Sequence, residues 1–311
     1  MRRSRSCQLP RTRFVAILAL ITVTAVVAFL VACPPAREPG SEPVREPPPA
    51  HEQSSPSMPP PENLSLSSRP IVSGLPPERP QPEERGVLAL IVDDAGYSLD
   101  ELQAFLDLPM PLTVAVLPNL PHSTEAARRV LAAGKDLILH CPMEPGGGEN
   151  PGPGAIFTGQ SPEVIRRLLD QDFASVPGAL GMNNHMGSKA TADEAVMTVV
   201  LGYLKDRGKL FVDSRTTADT AGPRLAQAMG LPILQRDVFL DDDTKESEIA
   251  DWLGKGIGEA RTRGFSVVIG HVQNRAVVDI LRAAEGTLVA QGVRMARLPE
   301  VLAACERKTA P

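Results

Sequence analysis

Two adjacent aspartates, Asp93 and Asp94, close the chain's most hydrophobic candidate strand in "VLALIVDD". An ordinary loop takes one Asp as a turn former or helix cap. Two side by side hold like charges together, which costs free energy unless a metal, another cation or a shared proton relieves it. The chemistry such a pair offers is a division of labour, with one carboxylate binding a metal while its neighbour stays free as a general base. A solvated turn acid beside a helix cap is the alternative without chemistry. Other apolar runs also end in polar residues: His140 closes "DLILH", Asn183-Asn184-His185 follow "GM", Asp213 follows "LFV", Asp241 follows "VFL" and His271 closes "VVIGH".

Each of these residues has a plain structural reading alone, since a lone histidine at a strand end is often a satisfied core residue. As a set they form a constellation. One Asp with two His leaves a fourth position open on zinc, the arrangement of catalytic rather than structural sites. Such an ion lowers the pKa of bound water and polarises a carbonyl. His185 in "MNNHMGS" is flanked by amides and small residues that suit a ligand held by hydrogen bonds. His271 fits either a third ligand or a general acid for a leaving group. His122, just before a helical pattern, reads as structural.

Strands and helices in alternation must position these residues. Candidate strands span Val87–Val92, Leu112–Leu117, Asp136–His140, Ala179–Asn183, Lys209–Val212, Ile233–Leu240 and Phe265–Ile269. Helical stretches lie between them. Ser98-x-x-Glu101 and Thr191-x-x-Glu194 read as capping boxes, and Ser161-Pro162 as a cap followed by a first-turn proline. Gly134, Gly208, Gly230 and Gly264 stand where helices end. Seven βα units imply parallel strands with crossover helices. Polar residues at the same end of so many strands favour a (β/α) barrel, incomplete or distorted, with its site on the C-terminal face. The longest irregular insertion, Glu144 to Gln160, is rich in Gly and Pro and suits a wall or lid.

The remaining length has another character. Residues 1–13 carry five Arg and no acid, and Phe14 to Ala32 is an unbroken apolar or small-residue run. As a helix this run is long enough to cross the hydrocarbon core of a bilayer. It reads as an uncleaved signal anchor or, through "LVAC" ending at Cys33, as a lipoprotein signal; either tethers the chain to a membrane with the rest outside the cytoplasm. Residues 34–85 hold about half of the chain's 31 prolines and read as an extended spacer. The expected organisation is a signal segment at 1–33, a linker at 34–85, one globular domain at 86–305 and a tail at 306–311. The formal charge of −5 becomes −10 without the five N-terminal arginines, which argues against nucleic acid as a partner. Cys141 and Cys305 could form a disulfide in an oxidising compartment, but read better as buried thiols.

The motifs "IVDDAG", "AVLPNLPHS", "LILHCPMEP", "GMNNHMGSKAT", "FVDSRT", "RDVFLDD" and "VVIGH" together resemble the divergent branch of the polysaccharide deacetylase superfamily, from about Gly86 to Leu302. The resemblance implies a distorted (β/α)7 barrel. It also implies metal-dependent removal of N- or O-acetyl groups from a polysaccharide or peptidoglycan-type sugar. By position Asp93 is similar to the family's general base, Asp94 to its metal ligand, His140 to the first histidine of its metal motif and His271 to the histidine that protonates the leaving group. Where the typical family has a second histidine this chain has Glu144, so His185 is the better source of the second imidazole, with a divalent ion, foremost Zn2+, as cofactor. The family's Arg-x-Pro motif is absent, and Arg215 or Arg236 is the candidate replacement. Asn184, Asp213, Asp241 and Glu144 are expected to contact the substrate or to orient the primary groups. The expected protein is thus an envelope-anchored deacetylase facing the periplasm or cell exterior. A non-catalytic carbohydrate-binding or envelope-organising protein on the same barrel is the alternative, although few aromatics are available for a sugar platform. Metal-free glycoside hydrolysis ranks last, because adjacent aspartates stand closer than that chemistry usually requires.

Overall fold

Along β1 (Gly86–Ala95), Leu88, Leu90 and Val92 alternate with Val87, Ala89 and Ile91, and all six are buried. A parallel strand covered on both faces must be apolar on both, hence the continuous run in the sequence. Leu88, Leu90 and Val92 join the layer between strands and helices, while Val87, Ala89 and Ile91 join a second, inner cluster. The structure is a computed structural model that describes residues 83–241 and 245–309. The expected membrane segment, Cys33 and nearly all of the Pro-rich spacer lie outside the described residues. Among the described residues no helix is long and apolar enough to cross a membrane.

The other strands are β2 (Thr113–Val116), β3 (Asp136–Met143), β4 (Gly181–Met186), β5 (Leu210–Asp213), β6 (Leu234–Gln235), β7 (Val238–Phe239), β8 (Phe265–His271) and β9 (Val293–Met295). All pair in parallel in the order β6-β5-β4-β3-β2-β1-β8-β7, and β9 adds to the start of β1. The strand expected over Ile233–Leu240 is broken in two. Arg236 N still donates to Asp213 O on the β5 side, whereas Asp237 N donates to Val267 O on β8. This one segment therefore links both edges of the sheet, giving a distorted (β/α)7 barrel. The Asp237 carboxylate steadies the crossing by accepting from Val267 N and pairing with Arg263.

The helices are α1 (Leu99–Leu106), α2 (Ser123–Ala132), α3 (Pro162–Ser175), α4 (Glu194–Asp206), α5 (Gly222–Met229), α6 (Glu246–Arg263), α7 (Arg275–Ala290) and α8 (Leu298–Thr309). Ser98 caps α1 and Ser161 caps α3 as expected. The cap of α4 is Asp193 rather than Thr191, whose hydroxyl donates to Gly187 O instead. Gly134, Gly208, Gly230 and Gly264 all follow helices with positive φ. Neither β9 nor α8 stands out in the sequence. The second closes the barrel's N-terminal end, sending Leu298, Val301 and Ala304 into the inner cluster while Leu298 N donates to Asp136 at the start of β3.

Candidate active site

At the end of β1 the register against β2 slips between Val92 and Ala95, and Asp94 adopts a left-handed backbone with φ 65°. A bulge re-aims successive side chains that a regular strand would send to opposite faces. The turn thus begins on Asp94 itself, a residue type that tolerates this conformation better than most. Among the described residues the non-glycines with positive φ are Asp94, Asn119, Met186 and Arg215, each at or just beyond the C-terminal end of a strand. Backbone strain of this kind gathers where function constrains geometry.

The bulge brings Asp94 to the two expected histidines. Its Oδ1 lies 3.1 Å from His140 Nε2 and 3.0 Å from His185 Nδ1, and those two nitrogens are 3.1 Å apart. Donor atoms at the corners of so small a triangle match the spacing around one tetrahedral ion, with bonds of about 2.0–2.2 Å. Among the described residues Asp94 Oδ1, a buried atom, finds no hydrogen bond of acceptable geometry, so this oxygen lacks the partner that burial demands. One carboxylate oxygen and two imidazole nitrogens form a donor set that fits a divalent cation. Burial opposes ionisation of Asp94, but the two histidines outweigh it and hold the carboxyl well below its usual range. Burial likewise opposes charge on His140, and Asp93 and Asp94 together outweigh it and raise that imidazole's pKa.

Beneath the triangle lies Asn183. Its Nδ2 donates to Asp93 Oδ1 at 2.8 Å, and its Oδ1 stands 2.7 Å from His140 Nδ1. A carboxylate only accepts, so the amide nitrogen faces Asp93 and the amide oxygen faces His140. Nδ1 of His140 then carries the proton, leaving the lone pair on Nε2, toward Asp94 and His185. Asp93 is itself buried, with its Oδ2 3.7 Å from His140 Nε2. Burial is the largest influence on it and raises its pKa above the ordinary aspartate value.

His271 flanks the triangle, since its Cα is the register partner of Asp93 across β1 and β8. Asp241 binds it twice: Oδ1 is 2.9 Å from His271 Nδ1, and Oδ2 accepts from His271 N. Burial alone would lower the imidazole's pKa. The Asp241 bond and charge, with Asp93 and Asp94 behind them, raise it to about 9. Phe239 stacks on the ring at 5.7 Å between centroids, and Arg236 covers Phe239 in turn. The site thus combines three metal-type donors, a buried carboxylate and a cationic imidazole at one mouth.

The other expected residues are placed differently. Glu144 holds the wall loop: it accepts from Thr158 N, Thr158 Oγ1 and Lys189 Nζ, which hold its pKa down to about 2. Asn184 accepts from Ser214 N and donates to Met186 O, tying β4 to β5, so the amide beneath the triangle is its neighbour. Asp213 accepts from Arg215 N and Thr220 Oγ1, whereas Asp241 orients His271. Arg215 is exposed beyond β5, and Arg236 donates to the carbonyls of Ser214 and Arg215. His122 begins α2 without capping it through its side chain. Cys141 is buried and is not joined to Cys305. Phe239 is a participant that residue type did not single out, and Asn183 stands out in the sequence only as part of the polar end of its strand. The signal for Asn183 is the two-residue period of β4, which puts it on the same face as His185.

Residues 90–302 match the sequence model of the family described as "Divergent polysaccharide deacetylase". The uncharacterized protein YibQ of Escherichia coli is 35% identical over 197 residues, 63% of this chain and 61% of that protein. An uncharacterized protein of Haemophilus influenzae is 33% identical over 184 residues, 59% of this chain and 66% of that one. Both matches span less than two-thirds of the relative's own length. Among solved structures, an uncharacterized protein from Agrobacterium tumefaciens superposes with a TM-score of 0.67 at 22% identity, covering 71% of this chain and 90% of that one, and so has a similar fold.

Proposed function

The chain belongs to the divergent polysaccharide deacetylase family, and from that premise we propose that it hydrolyses acetyl groups from an acetylated sugar of the polysaccharide or peptidoglycan type. The triangle of Asp94, His140 and His185, with Asp93 and His271 beside it, carries this reading. Those three ligands suit a divalent ion, foremost Zn2+. Such an ion, when bound, supplies Lewis acidity to a carbonyl and makes a water more acidic.

The chain's own residues supply the rest. Asp93 accepts the proton of the attacking water, a task helped by the burial that raises its pKa above the ordinary aspartate value. His271, protonated at neutral pH and held by Asp241, returns a proton to the departing nitrogen or oxygen. Asn183 and Asp241 keep these two groups in place, so the proton movements occur between fixed atoms. The basic, apolar N-terminus supports tethering to a membrane with the barrel on the periplasmic or outer side.

The test uses the full-length chain purified without chelator, beside a His140→Ala/His185→Ala variant and an Asp93→Asn variant. The expected result is about one divalent ion per parent chain and none in the double variant. Acetate release from acetylated chitooligosaccharide or peptidoglycan is expected to fall in Asp93→Asn by about 100-fold or more, with metal retained. Loss of metal from Asp93→Asn would overturn the division of roles. A folded parent that binds no zinc would overturn the hydrolase reading in favour of a glycan-binding protein.

A further inference from the structure

We infer that Asn183 is a positioning residue that couples the candidate metal site to the candidate base, orienting His140 through one end of its amide and Asp93 through the other. The Asp93 arm rests on the hydrolase reading; the His140 arm does not.

An asparagine in the middle of a core strand, fully buried, is costly unless its polar atoms are bonded. Here both ends are, each to a group at the site. The β3–β4 register sets Asn183 directly beside His140, which fixes the short reach to Nδ1. The bond to Asp93 spans ninety residues of sequence, so only closure of the barrel creates it. Once Oδ1 of Asp93 is anchored, its Oδ2 is the oxygen left on the side of His140 Nε2. The amide therefore does two things together. It fixes the His140 tautomer whose free lone pair belongs to the triangle, and it chooses which Asp93 oxygen can take a proton.

Other side chains fail in distinguishable ways. Leucine has similar volume and neither polar end. Aspartate keeps an acceptor for His140 Nδ1–H, but an ionised carboxylate cannot donate to Asp93. Glutamine adds a methylene where no side-chain surface is exposed. An amide that merely filled space would be replaceable by leucine without effect on either neighbour.

The experiment compares the full-length parent with Asn183→Leu and Asn183→Asp at pH 8.5. Cobalt affinity is measured by competition with a chromophoric chelator, the cobalt absorption spectrum is recorded, and acetate release gives kcat and KM. Asn183→Leu is expected to lose about 10- to 100-fold in cobalt affinity with an altered spectrum. Asn183→Asp is expected to bind cobalt within about threefold of the parent while kcat falls by about 100-fold and KM holds, since the orienter of the metal ligand survives and that of the base does not. A Leu variant that melts like the parent and binds cobalt as tightly would overturn the His140 arm. If that variant does not fold, an Asp variant with weakened cobalt binding overturns the same arm. Parental kcat in Asn183→Asp would overturn the Asp93 arm. A parent that binds cobalt but releases no acetate would refute the hydrolase reading and the Asp93 arm with it, while the cobalt comparison still decides the His140 arm.

Discussion

His271 owes its proton to what surrounds the ring. Burial disfavours the cation, but Asp241 binds both its Nδ1 and its backbone N, and the pKa rises from 6.5 to about 9. The folded state holds the proton more tightly than the unfolded chain. The stabilising contribution is therefore complete below about 6.5 and is lost as the pH rises through about 9. Asp241→Asn removes the charge and keeps the shape. Its expected effect is to move the His271 midpoint, followed by imidazole NMR, from near 9 to 6.5 or lower. Under the proposed hydrolysis, the alkaline limb of acetate release is expected to move in the same direction. A midpoint that stays near 9 would show that Asp241 is not the cause.

At the scale of elements, α3 carries an acid where few helices have one. Asp172 is fully buried, accepts from Asn119 Nδ2 through Oδ1, and has no partner for Oδ2 among the described residues. Burial pushes its pKa from 3.8 up to about 7, against the opposing pull of Asn119. The sign follows: the folded state binds this proton more tightly, so stability falls as the pH rises between about 4 and 7. The full penalty above that window is on the order of 4 kcal/mol. Asp172→Asn keeps an acceptor for Asn119 and removes the charge, at the cost of an unpaired buried N–H. A net gain of about 1–3 kcal/mol at pH 8, with a flatter dependence below pH 7, is expected from urea unfolding. The tight fit around Asp172 explains Gly154, at φ 80°, where an added Cβ would stand 2.3 Å from Asp172 Oδ1. Gly154→Ala is expected to cost about 2–4 kcal/mol, read from the same unfolding curves.

Across the whole molecule the two ends of the barrel do different work. The C-terminal end gathers the site and the strained backbone. The N-terminal end holds Asp136, whose carboxylate accepts from Arg297 and from Leu298 N and so seats α8 under the inner cluster. Polar groups on that face of a barrel serve stability. Arg297→Ala leaves Asp136 buried with one partner fewer, at an expected cost of about 1–3 kcal/mol in unfolding free energy. Metal affinity is expected to stay at the parental value. A large loss of metal binding would show that the two ends are coupled through the strands.

The strand ends were legible in the order of residues, because a buried parallel strand must be apolar on both faces and its polar terminus then stands out. That Asp93, Asp94, His140, His185 and His271 meet at one mouth was readable for that reason, as was the family. Pairing across the barrel was not. Whether Asn183 or Asn184 lies beneath the triangle, or whether Asp213 or Asp241 holds His271, depends on strand register and on which face each side chain takes. Glu144 next to a histidine motif looks like a ligand until the wall loop is seen to occupy its carboxylate. The bulge that turns Asp94 to the mouth, and the crossing at Arg236–Asp237 that joins both sheet edges, arise only when the strands meet. Residue type and local period belong to neighbours in sequence, whereas register and closure belong to groups brought together from 30 to 90 residues apart.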